Sequence, residues 1–180
     1  MFSLSAFSTQ QVKQPSFRTD KSAPVKTTVI AASSGSIKLD SKAVRTALEA
    51  TNRKGVGTKT LSMWLNSLQH GERIFLVLRG LNAMKQPGVL YHVYFDLPAD
   101  RNLLKDDASY VGTISFYDSV NVKTSDLDET PFTSYDVTSV LKRLESRRLL
   151  SAPPTITIVP FGTPNPQAHA SITRIELVVQ

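Results

Sequence analysis

The stretch Val89 to Leu97 constrains the chain more than any other. Val89, Tyr91, Val93 and Phe95 fall on one face; Leu90, His92, Tyr94 and Asp96 fall on the other. A period of two belongs to an extended strand, because successive side chains point to opposite sides of the backbone. Lys85-Gln86-Pro87-Gly88 before it is a turn, and Pro98 stops it. Arg73 to Leu81 is an apolar run ending at Gly80, as a buried strand would, and Tyr110 to Tyr117, Thr155 to Val159 and Ser171 to Val179 read as further strands. Ile37 and Leu39 alternate in the same way, and Gly112 marks a bulge or a close approach. One helix interrupts the series. Val137, Val140, Leu141 and Leu144 share a helical face, with Asp136 as the expected N-cap. Short strands, Pro/Gly turns and one short helix predict a mainly all-β chain, an antiparallel, jelly-roll-like β-sandwich.

Other segments are less regular. Residues 41–50 have helical spacing but β-branched and charged side chains, so helix and strand both stay open. Thr51 to Lys59 reads as a glycine-containing loop, and Thr60 to Leu68 alternates weakly around Trp64. Residues 118–132 form a long polar loop, which in a compact domain is functional or mobile. The strand periods and the helix face predict a core of Ile74, Leu76, Leu78, Val93, Phe95, Ile114, Phe116, Val140, Leu144, Ile158, Ile175 and Leu177.

Composition removes several chemistries. The chain has no cysteine, so thiolate ligands, disulfides and a cysteine nucleophile are excluded. The three histidines, His70, His92 and His169, stand far apart in sequence, and no metal site is expected from them. Lys54 to Lys59 lacks the spacing of a phosphate-binding loop, and no serine lies in a nucleophile elbow. Asp106-Asp107 and the Asp126, Asp128, Glu129 group lack the ligand spacing of a calcium loop. No catalytic residue, cofactor or metal is therefore expected, and the chain reads as not an enzyme. The net charge of +6 divides evenly between residues 1–32 and the remainder. The one dense basic cluster, Lys142-Arg143 with Arg147-Arg148, reads as a solvated helix face, and no nucleic-acid partner is expected. No apolar run approaches the roughly 18 residues of a membrane span.

Residues 1–32 are rich in Ser, Thr, Gln and Lys, with Asp20 as the one acid. Such composition marks a chloroplast transit peptide, with processing expected after Val29-Ile30-Ala31-Ala32 and the stroma as destination. A disordered arm would share the composition. Residues 33–71 would then be an N-terminal extension, and residues 72–180 the sandwich proper.

Four blocks within residues 72–180 resemble a known family. They are Leu90 to Pro98, Tyr110 to Tyr117, Tyr135 to Leu144, and Thr157 to Pro160 with Ile172 to Leu177. In order and pattern they are similar to the C-terminal domain of tyrosinases and polyphenol oxidases. That resemblance implies a β-sandwich covering the dinuclear copper site of a separate domain. The six-histidine copper domain has no counterpart here. The chain is thus expected to be a non-catalytic binding or shielding module acting on a protein partner, a copper oxidase among the candidates. The alternative is a structural or ligand-binding sandwich of the plastid, unrelated to phenol oxidation. Docking is expected at one end, through the 82–88 and 118–132 loops, with Val120, Val122, Leu127 and Phe132 as contact residues; the alternative is that these four fold back onto the sandwich. The sequence leaves the oligomeric state open.

Overall fold

The computed structural model describes residues 27–51, 59–97, 108–122, 127 and 130–180. Among these residues ten strands form two antiparallel sheets. The larger sheet has the order β4 (Glu49–Ala50), β1 (Thr28–Ala32), β10 (Ser171–Val179), β5 (Ile74–Asn82) and β8 (Phe132–Asp136), and β2 (Ile37–Lys38) also pairs with β10. The smaller sheet has the order β3 (Val44–Ala47), β9 (Thr155–Phe161), β6 (Leu90–Phe95) and β7 (Tyr110–Ile114). The expected all-β antiparallel sandwich is what forms. All twelve expected core residues are buried, in a cluster that adds Tyr91, Ile172 and Leu141 among others. The inward residues of β5, β6, β9 and β10 supply most of it, because the two-residue period aims alternate apolar side chains into the gap between the sheets.

Two elements differ in kind from the sequence reading. Leu61–Ser67 is a helix, α1, where weak alternation suggested a strand. The Thr60 hydroxyl accepts a hydrogen bond from the Met63 amide at its start. Leu61, Trp64, Leu65 and Leu68 lie at i, i+3, i+4 and i+7 and pack on the core. Among the described residues there are therefore two helices, with Thr138–Ser146 as α2. The second difference is β8, which occupies the end of the expected loop and the run up to α2. Phe132, Ser134 and Asp136 are exposed while Thr133 and Tyr135 are half-buried, as an edge strand requires. Asp136 consequently ends β8. Val137 is the N-cap position of α2, and Asp136 accepts from the Thr138 amide at 3.0 Å. Residues 44–47 and 49–50 resolve as strands.

The expected boundaries at 32 and 71 require correction. Thr28–Ala32 is a strand hydrogen-bonded between β10 and β4, and Ile30, Ala31 and Ala32 are buried. Val29 and Ile30 are β-branched and apolar, which suits a strand better than a processing site. Ser33 continues the attachment: its amide donates to the Ile175 carbonyl at 2.8 Å, and its hydroxyl accepts from the Ile175 amide. Processing after Ala32 would remove a paired strand. The described part of residues 33–71 likewise supplies β2 and β4 to the larger sheet, β3 to the smaller and α1 to the core, so it belongs to the sandwich rather than extends it. The rest of the expected transit segment, residues 1–26, lies outside the described residues.

One lateral side of the sandwich is closed by a cross-sheet latch. Tyr135 on β8 crosses to β7, where its hydroxyl donates to the Thr113 carbonyl at 2.8 Å. Its ring lies against Gly112, where any Cβ would overlap it. The expected close approach at Gly112 is thus to a tyrosine ring. Burial raises the Tyr135 phenol pKa, the Tyr110 side chain adds to the rise, and a bond with Thr133 opposes it. Gly80 sits within β5 at φ +66, and a Cβ there would meet Thr173. The strand continues through it to Asn82.

Candidate functional site

The two ends of β6 are built from opposite materials. At its C-terminal end Asp96 is buried, with a positive φ of 47. Its carboxylate accepts from the Ser151 and Thr155 amides at 2.8 and 2.7 Å and from both hydroxyls, that of Thr155 at 3.0 Å. The Arg45 guanidinium completes the network by donating to the Thr155 hydroxyl. A buried carboxylate is costly unless its lone pairs are met, and here four donors meet them. This end is a polar knot that holds residues 151–155 against β6.

At the N-terminal end of β6 the surface is apolar and open. Tyr117 is 79% exposed, Phe161 69%, Met84 63% and Leu90 46%. Leu90 and Phe161 are register partners on β6 and β9. With Tyr117, Val89 and Gln86 they line a cleft of about 330 Å³. The Gln86 side-chain amide donates to the Phe116 and Tyr117 carbonyls, which fixes the β5–β6 turn against the segment after β7. The Ala83 amide donates to Ser119 and the Asn121 amide donates to Ala83, so the segments bearing Met84 and Tyr117 run side by side. Beneath them Phe116 is buried, edge-on to Tyr91 at 5.6 Å. The exposed aromatics therefore stand on a packed base.

His92 belongs to this surface. It stacks on Phe161 with ring centroids 5.1 Å apart and an interplanar angle of 12°, and meets Tyr110 edge-on at 5.7 Å. His70 and His169 are exposed elsewhere, His169 lining a cleft with Asp40. Among the described residues no three His, Cys, Asp or Glu side chains come together as metal ligands would. On the core side, burial raises the Tyr91 phenol pKa and Asp40 raises it further.

The four expected contact residues follow the C-terminal half of β5. Val120 bridges to Ala83, and the Val122 carbonyl accepts from the Asn82 side chain. Leu127 lies beside Gly80, and Phe132 pairs with Arg79, whose guanidinium stands 5.8 Å over its ring. Phe132 is the exposed member; the other three are half-buried. Val122 reaches the apolar end, where it lines a second cleft with Met84. The 82–88 turn of the expected docking end borders this apolar surface, and its exposed Leu90, Tyr117 and Phe161 are not among the residues expected from sequence. Leu90 carried a signal, an apolar residue on the otherwise polar face of its strand. Tyr117 and Phe161 sit where strands end, and nothing local distinguishes an exposed aromatic there from a buried one.

Comparison with known proteins gives a family and a fold likeness. The family described as "Domain of unknown function (DUF7868)" matches residues 26–180. No curated protein matches. Among solved structures, latent apple tyrosinase is 16% identical with a TM-score of 0.49, over 80% of this chain and 27% of that one. Recombinantly expressed latent aurone synthase, a polyphenol oxidase, is 13% identical with a TM-score of 0.45, over 79% of this chain and 26% of that one. The same enzyme from its natural source is 12% identical with a TM-score of 0.45. The chain spans about a quarter of the length of these proteins.

Proposed function

The chain belongs to the DUF7868 family, and we propose that it is a non-catalytic module that docks on and covers a protein partner through its apolar end. The observation that carries this is the exposed cluster of Leu90, Tyr117 and Phe161 at one end of the sandwich, with Met84 exposed on the adjoining segment. Large apolar side chains held out on packed turns lose little entropy on binding, and aromatic anchors of this kind dominate protein interfaces. The four sequence blocks similar to polyphenol oxidase cover domains make a type-3 copper oxidase the first partner to test. The acid-poor, Ser-rich composition of residues 1–26 supports an encounter in the plastid stroma as part of this reading. Processing then falls upstream of Thr28, so that β1 is kept.

The test is direct. The purified chain is mixed with the copper domain of a plastid polyphenol oxidase that lacks its own cover. Co-migration on gel filtration and a fall in catechol turnover are expected. Independent migration and unchanged turnover would remove the oxidase as partner.

A further inference from the structure

A separate cavity lies beside the polar knot, at the other end of the sandwich from the docking surface. Its volume is about 180 Å³. The walls are Ile30, Leu48, Leu61, Trp64, Pro153 and Leu177, so one pocket is assembled from β1, α1, β10 and the 151–154 segment. Its polar lining groups are largely occupied within the fold. The Thr60 hydroxyl accepts from Met63, and the Ser151 hydroxyl donates to Asp96. Lys59 is different. Its ammonium stands 4.7 Å from the centroid of the Trp64 ring, and that ring is its partner among the described residues.

We propose that this cavity binds a small aromatic monocarboxylate, with the ring among the apolar walls and the carboxylate on Lys59. Three features set the class. An apolar cavity of about 150 Å³ is large enough for one benzene ring, so a single ring fits here. An apolar wall with one polar anchor orients a ligand that has one polar end. The anchor is a cation, which selects an anion over an amide or alcohol of the same shape, because a charge-assisted hydrogen bond is stronger than a neutral one. The indole under the ammonium holds the cation at the wall.

Trp64 is the one tryptophan in the chain, so its emission reports on the cavity without labelling. The full chain is titrated with phenylacetate, phenylacetamide and acetate. A saturable change in Trp64 emission with phenylacetate is expected, with the amide and acetate weaker by roughly tenfold or more. Lys59→Gln should bring acid and amide to equal affinity. Ala50→Leu, at an exposed lining position, should fill the space and abolish the response to both. Three results would each overturn the proposal: no saturable change with phenylacetate, equal binding of phenylacetamide to the unaltered chain, or an Ala50→Leu variant that still binds. Acetate binding as well as phenylacetate would reduce the site to surface ion pairing and overturn it too. None of these readouts depends on the docking end.

Discussion

The Asp96 end and the Tyr117–Phe161 end terminate the same strand, β6, and they solve opposite problems. At Asp96 the chain hides charge and satisfies it with four donors. At Leu90, Tyr117 and Phe161 it shows apolar surface that no other described residue covers. A buried, satisfied polar network rigidifies a fold. An exposed apolar cluster adds nothing to the stability of the isolated chain and costs solubility. The difference separates where the sandwich is held together from where it is expected to act.

Breaking the polar knot gives the largest expected effect. Asp96→Ala leaves the Ser151 and Thr155 amides without an acceptor and should lower unfolding free energy by about 3 kcal/mol or more. Chemical denaturation measures it; a loss below about 1 kcal/mol would mean that water replaces the carboxylate at little cost. The latch comes next. Gly112→Val places a side chain where the Tyr135 ring lies and should cost about 1–3 kcal/mol, as overpacking does. Tyr135→Phe in the same background separates steric strain from the lost bond to Thr113.

The smallest effect is electrostatic. Burial raises the Asp136 pKa, but hydrogen bonds from Arg73 and Thr138 and the Arg73 charge outweigh it, and the net shift is downward. A carboxylate with a lowered folded-state pKa contributes stability above its unfolded pKa, and that contribution is lost as pH falls through the folded value. Asp136→Asn should therefore cost under about 1 kcal/mol at neutral pH, since the pair with Arg73 is solvent-accessible. The difference from the unaltered chain should vanish in acid. A gap that persists in strong acid would assign the effect to packing.

Much of the fold was legible because apolar periodicity and burial express the same geometry. Leu76, Val93, Phe95, Ile158 and Leu177 alternate in sequence and all face the gap between the sheets. The helix α1 was legible too, in the spacing of Leu61, Trp64, Leu65 and Leu68, but seven residues give too short a window for the period to stand out against alternation. Strand β1 was hidden by its neighbourhood: Val29 to Ala32 follows an acid-poor, Ser-rich segment and inherits its reading. For β8 the reason is energetic. An edge strand pairs on one side and buries half a face, so Phe132–Asp136 needs few apolar residues and looks like loop. The apolar end was legible only in part, through its 82–88 turn, because whether an aromatic at a strand end is buried or exposed is decided by strands distant in sequence.

The central claim, that the apolar end serves recognition and not folding, rests most directly on one double variant. Tyr117→Asp with Phe161→Asp puts two charges on the cleft while leaving the Phe116–Tyr91 base untouched. Thermal unfolding and binding to the polyphenol oxidase copper domain are measured on the same preparation. The account predicts a stability within about 0.5 kcal/mol of the unaltered chain, as for surface substitutions generally, together with loss of binding. A variant that binds as before, or one that unfolds, would contradict it.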